Sequence, residues 1–222
     1  MMRNLILLLS CLVPLAQAAT TPVTWSLAGQ WQVHDANDGT TSSIAGWRAL
    51  RVPANWYSAG YDHQGALMYR HAFTLPEQPA DTMATLVFDG VDYFADVTLN
   101  DQPLARHEGY FQRFSVDVSK ALRRHNTLAV RVDSPYEDPK TVWPLHKTLM
   151  KGVLNQHDSR PGGAWSPQGQ DANSGGIWAP VRLHLSRGAT IDEIILRPDW
   201  TQGLDKPALQ AEIRYRAIEG GN

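Results

Sequence analysis

An all-β sandwich is the fold class this sequence predicts, and three observations predict it. Short runs alternating apolar and polar residues recur along the chain, and stretches with a helical 3.6-residue period are nearly absent. Gly, Pro, Asn and Asp gather between the runs. Strands of this length joined by such turns imply a two-sheet sandwich or jelly roll.

The first runs are Trp25-Ser26-Leu27 and Gly29 to Val33, followed by the turn-rich Asp35-Ala36-Asn37-Asp38-Gly39. Met68 to Leu75, Ala84 to Phe88 and Ala95 to Leu99 follow with the same alternation. Leu99-Asn100-Asp101-Gln102-Pro103-Leu104 reads as a tight hairpin, because Asn and Asp tolerate the left-handed backbone that such turns need. Phe114 to Val118 is a further strand, and Asp117 or Ser119 caps at most one helical turn before the strand Thr127 to Val132. Between Ser134 and Gly176 the alternation stops, and a connection this long predicts a functional loop. Val181 to Leu185 closes the pattern. Trp25, Trp31, Trp47, Trp56 and Trp178 lie in or beside strands and are expected in the core.

Ile191 to Trp200 and Leu209 to Ala217 add two more runs. A lone hairpin is marginal in water, so residues 188–222 are expected to begin a second β-sandwich whose remainder is missing, and a terminal appendage to the first sheet is the alternative. The first sandwich is expected over residues 22–187.

At the N-terminus Arg3, the apolar run Leu5 to Leu15 and Ala16-Gln17-Ala18 predict a cleaved export signal over residues 1–18, placing the mature chain in the periplasm or outside the cell. The run is short for a membrane span, and a lipoprotein signal at Cys11 is the alternative. Cys11 is the only cysteine, so cleavage leaves neither a disulfide nor a thiolate ligand. A net charge of −2 without basic blocks disfavours nucleic acid.

Hydrolysis by a pair of carboxyl groups, one nucleophile and one acid then base, needs the two about 5 to 5.5 Å apart. The adjacent pairs Glu137-Asp138 and Asp192-Glu193 would point to opposite faces of an extended chain, so no catalytic residue is assigned. His146, His157, Asp158 and Ser159 lie in the long loop without a nucleophile-elbow motif, and Asp62-His63 with His71 matches no ligand spacing, so neither metal nor cofactor is expected. The long loop does hold the residue types that bind sugars, a flat aromatic face for C–H surfaces and amides or carboxylates for hydroxyls. These are Trp165, Gln168, Gln170, Asp171 and Asn173, in a Gly-rich stretch running into Gly175-Gly176-Ile177-Trp178. Trp143 is a second possible platform.

Four segments then occur in order: Leu86 to Val91, Val97-Thr98-Leu99-Asn100, His107 to Phe114 and Asn126 to Val132. With Leu27 to Trp31, Val52 to Trp56, Tyr69 to Phe73 and Gly176 to Val181, they resemble the N-terminal sugar-binding jelly roll of glycoside hydrolase family 2. The family includes β-galactosidases, β-glucuronidases, β-mannosidases and exo-β-glucosaminidases, and the resemblance covers roughly residues 25–187. It implies a galactose-binding-domain-like jelly roll, then an immunoglobulin-like sandwich, with both catalytic glutamates in a later (β/α)₈ barrel. Too few residues follow Ser186 to form that barrel, which needs roughly 250.

In the resembling enzymes the loop before the Gly-Ile-Trp strand helps hold the terminal sugar, and Asp171 stands close to the family's acidic position, within one residue of register. Asp62, in Tyr61-Asp62-His63-Gln64-Gly65, corresponds to a second polar contact. The β-mannosidase-like members carry an aromatic-acid-aromatic cluster where this chain has Ala164-Trp165-Ser166-Pro167, which keeps one Trp and lacks the acid. The expected sugar contacts are therefore Asp171, Trp165, Asn173, Gln170 and Asp62, and the expected partners a terminal β-linked sugar and a catalytic barrel. A free-standing lectin-like module and a protein-docking domain are the alternatives.

Overall fold

The computed structural model describes residues 22–36, 46–137, 148–154, 159–160 and 172–218. The expected export signal at 1–18, with Cys11, lies outside them. In chain order the strands are β1 (Val23–Ser26), β2 (Gly29–Asp35), β3 (Arg48–Val52), β4 (Gly65–Thr74), β5 (Thr82–Phe88), β6 (Phe94–Leu99) and β7 (Gln102–Glu108). There follow β8 (Phe114–Asp117), β9 (His125–Ser134), β10 (Val153–Leu154), β11 (Ser159–Arg160), β12 (Val181–Arg187), β13 (Ala189–Asp199) and β14 (Ala208–Ala217). Among the described residues there is no helix long and apolar enough to cross a membrane.

A six-stranded sheet, β3-β2-β4-β9-β6-β7, faces a four-stranded sheet, β1-β12-β5-β8, and every pairing is antiparallel. The expected all-β sandwich is therefore the fold. Alternation decides what each strand buries. On β9, Asn126, Leu128, Val130, Val132 and Ser134 point inward, and on β12 Val181, Leu183 and Leu185 do. The apolar ones among them, together with Trp31, Leu67, Tyr69, Leu86 and Phe88, form one cluster drawn from both sheets. Each fully buried large side chain there contributes on the order of 1.5–3 kcal/mol.

The hairpin between β6 and β7 turns through Asn100 at φ 52° and Asp101 at φ 65°, the left-handed pair expected there. Asn100 also ties the hairpin down, because its amide donates to Ala121 O (2.8 Å) and Asn126 Oδ1 (3.0 Å), and its Oδ1 accepts from Thr127 N (2.9 Å).

After β8, Ala121 N and Leu122 N both donate to Val118 O, closing a single turn. Asp117 Oδ1 caps it, accepting from Ser119 N (2.9 Å) and Ser119 Oγ (2.6 Å). Burial pushes the Asp117 carboxyl up, but the Ser119 bonds and the Arg216 guanidinium outweigh that and hold it below its ordinary value. Its stabilisation is present above the unfolded carboxylate range and fades as pH falls through the lowered folded value. Urea midpoints at pH 5 and pH 3 should accordingly fall less in Asp117→Asn than in the parent. Because the side chain is about half exposed, the difference should be small.

Two expectations are corrected. Trp31 and Trp56 are core residues, but Trp25 is 36 % exposed, because β1 is an edge strand whose four residues all face solvent. Trp47 and Trp178 are only half-buried, Trp47 lying 4.2 Å beneath the Arg70 guanidinium. Asp192 and Glu193 do not diverge either. A bulge between Ile191 and Glu193 lets Asp192 accept from Arg216 while Glu193 accepts from Arg214, two arginines on the same face of β14.

Among the described residues β13 and β14 pair only with each other. One face of this ribbon carries the Arg197–Glu212, Arg214–Glu193 and Arg216–Asp192 ion pairs. The other presents the register partners Ile194 and Ile213, Leu196 and Ala211, and Pro198 and Leu209 to solvent.

Candidate functional site

Ser134 closes β9 at an inward-facing position, so the core alternation ends on a buried hydroxyl. Three chain segments complete what that hydroxyl needs. The connection from β5 to β6 supplies Asp92, the segment before β10 supplies Lys151, and the segment before β12 supplies Asn173 and Ser174. Backbone bonds hold two of them together: Asp92 N donates to Gly176 O (2.9 Å) and Gly176 N to Asp92 O (3.1 Å).

The Lys151 ammonium is 1 % exposed and finds three acceptors for its three hydrogens. These are Ser134 Oγ (2.5 Å), Asn173 Oδ1 (2.6 Å) and Ser174 O (3.3 Å). Asp92 Oδ2 accepts from Ser174 Oγ (2.6 Å), and the single Ser134 hydroxyl hydrogen lies between Asp92 Oδ1 (3.0 Å) and Ser174 O (2.8 Å). The two serines thus bridge a buried carboxylate to a buried ammonium. Burial raises the Asp92 pKa, and Lys151 and both hydroxyls only partly offset that rise.

Asn173 is built into the same network. Its amide donates to Ser134 O (2.8 Å) and His63 O (3.2 Å), and its backbone carbonyl accepts from Trp56 Nε1 (3.0 Å). The structure therefore places this predicted sugar contact inside the protein, with both ends of its amide engaged. Asp62, by contrast, is exposed, one residue from the His63 carbonyl that Asn173 grips. Asp171, Gln170 and Trp165 lie outside the described residues, as do Gln168 and Trp143.

The Gly-rich stretch fits where side chains cannot. A Cβ on Gly175 would sit 2.0 Å from the Trp56 ring. One on Gly176, at φ +103°, would sit 2.4 Å from the Tyr69 hydroxyl, whose pKa burial drives well above the usual phenol range. Ala54 N to Ile177 O and Trp56 N to Gly175 O, both 2.9 Å, lay the chain after β3 along this stretch.

Beside the network is an aromatic rim. Tyr110 stacks on Trp178 at 4.8 Å, and exposed Phe111 meets Tyr110 edge-on at 4.5 Å. Burial, with the Asp92 charge, pushes the Tyr110 hydroxyl up to about 12. Tyr93 is raised by burial first and then by Glu108, Glu137 and Asp92. Glu137 is an anchor, accepting from Thr148 N, Thr148 Oγ1 and Leu149 N. Among the described residues no three His, Cys, Asp or Glu gather as metal ligands.

Sequence reasoning did not find Lys151, Asp92, Ser134 and Ser174. Only Ser134 carried a signal, through its parity with Val130 and Val132.

A family model described as glycosyl hydrolase 2 galactose-binding domain-like matches residues 31–178. β-Mannosidase B of Emericella nidulans is 29 % identical over 177 residues, covering 73 % of this chain and 21 % of its own. The β-mannosidase of Capra hircus is 27 % identical over 150 residues, covering 61 % and 17 %. This chain thus spans about a fifth of the length of these relatives. In structure it is similar to a β-glucuronidase of an uncultured Clostridium sp., with TM-score 0.63, 21 % identity and coverage of 94 % of this chain and 36 % of the other. It is also similar to a galacturonate-bound β-galacturonidase of Eisenbergiella tayi, with TM-score 0.59, 22 % identity and coverage of 95 % and 32 %. With the sandwich, its order of strands and this match over most of its length, the chain belongs to the family of glycosyl hydrolase 2 galactose-binding-like domains.

Proposed function

We propose that this chain is the non-catalytic, sugar-contacting part of a family 2 glycoside hydrolase, whose glycosidic bond cleavage is carried by a separate barrel. The observation that carries this reading is the family match over the sandwich, in a chain spanning only a fifth of its β-mannosidase relatives. The Asp92–Lys151 network supports it chemically. Its carboxylate and ammonium are occupied by serine hydroxyls and an asparagine, as suits a scaffold rather than an acid and nucleophile pair. In this reading Asp171, Gln170, Trp165 and Asp62 meet a terminal β-linked sugar, and Asn173 holds the base of their loop from inside. The curated relatives make a β-mannoside the first ligand to try.

The same reading makes residues 188–222 the start of an immunoglobulin-like sandwich, which would cover the exposed Ile194, Leu196 and Ile213 face. It also makes residues 1–18 an export signal.

The test uses purified chain with aryl β-mannoside, glucuronide, galactoside and glucosaminide, and glycan binding followed in the same samples. No turnover is expected, with weak binding that Asp171→Ala abolishes and Asp62→Ala reduces. Turnover surviving repurification would show that the chain is itself an enzyme. Tight, saturable binding would point instead to a lectin-like module.

A further inference from the structure

Gly188, at φ +72°, is the single residue between β12 and β13. At that corner Gly188 N donates to Asp81 O (3.2 Å) and Ile218 N to Gly188 O (2.9 Å). Beyond the corner, among the described residues, no strand of the sandwich pairs with the ribbon, so backbone ladders do not set the angle between them. Apolar packing does not set it either. A cleft of about 750 Å³ separates Val87 and His184 on the four-stranded sheet from Ile191, Ile213 and Tyr215 on the ribbon.

We infer that Arg216 is the latch that fixes this angle. Its guanidinium reaches three strands at once. Nε and Nη2 donate to Asp192 beside the β13 bulge (2.9 to 3.0 Å), Nη1 pairs with Asp117 at the end of β8 (2.5 Å), and Nη2 donates to Thr85 Oγ1 on β5 (3.0 Å). The planar five-donor fork is what permits this, since an ammonium offers a single centre and cannot hold three partners lying in different directions. The bulge is part of the device, because it turns Asp192 to the arginine face of the ribbon. Asp117 is the fixed end. Its other oxygen is held by Ser119, so the carboxylate meets the ribbon already oriented.

The experiment is a distance measurement between spin labels in the full chain. Cys11 is the only cysteine, so Cys11→Ser frees the background for Gln102→Cys on β7 and Gln202→Cys at the ribbon tip, both exposed. The parent should give one narrow distance, and Arg216→Ala and Arg216→Lys should each lose it to a broad distribution while the tryptophan-monitored unfolding of the sandwich persists. A narrow distance retained in folded Arg216→Ala, or a broad one in the parent, would overturn the latch. Should Arg216→Ala not fold, Asp117→Asn combined with Thr85→Val removes the sandwich side of the contact and must broaden the distance in its place.

Discussion

Replacing Lys151 with Met should cost about 3–5 kcal/mol of folding free energy, the loss expected when one partner of a buried charge pair is removed. The substitution keeps the length of the side chain but leaves the Asp92 carboxylate, Asn173 Oδ1 and Ser174 O without the ammonium, in a site that water does not reach. Urea unfolding followed by tryptophan fluorescence measures it. Adding Asp92→Asn to Lys151→Met should recover part of the loss, because the stranded charge is then gone. A loss below about 1 kcal/mol, the range of an exposed pair, would mean that water enters and solvates Asp92.

Gly175→Ala should be comparably damaging for an unrelated reason. The new methyl would lie 2.0 to 2.3 Å from Cζ2, Cε2 and Cη2 of Trp56, an indole that cannot retreat because its Nε1 is bonded to Asn173 O. Overpacking typically costs about 1–3 kcal/mol where neighbours can shift. Here the ring and its hydrogen bond must be given up together, so little folded protein should accumulate. Gly175→Ala with Trp56→Phe should restore soluble yield by making room, at the expense of the indole bond. Gly90→Ala is the control, since its methyl would meet the half-buried Trp178 ring, whose indole nitrogen has no hydrogen-bond partner among the described residues to hold it in place. Equal yields for Gly175→Ala and Gly90→Ala would refute the assignment of a fixed Trp56.

Interior strands were legible in the sequence, as were the edges β1 and β8, whereas the edges β3 and β7 were not. β9 shows unbroken alternation because one of its faces is core along its whole length. β3 and β7 went unread as strands in their own right. Each is an edge with a single partner, and β7 buries none of its residues, so neither carries enough apolar signal to exceed the turn residues around it. The Trp25 misreading has the same origin, a large aromatic on an edge strand.

The site was legible as composition but not as orientation. Asn173 was identified as a polar loop residue, yet whether its amide faces a ligand or the interior depends on Lys151 and Ser134, which lie 22 and 39 positions away in the chain. The same limit applies to Asp192, since one inserted residue in β13 reverses a side-chain direction that strict alternation would assign.

The contact between Lys151 and Asn173 also bears on how this protein can vary over evolution. Their 2.6 Å bond brings together two positions 22 apart, and both are held against Ser134 at the end of β9. Closing a longer or shorter connection across that fixed gap changes the entropy by only about 0.6 kcal/mol per doubling of length. Insertions and deletions between these two positions are therefore cheap to accept, and the intervening chain can change in length while the framework around Ser134 stays as it is.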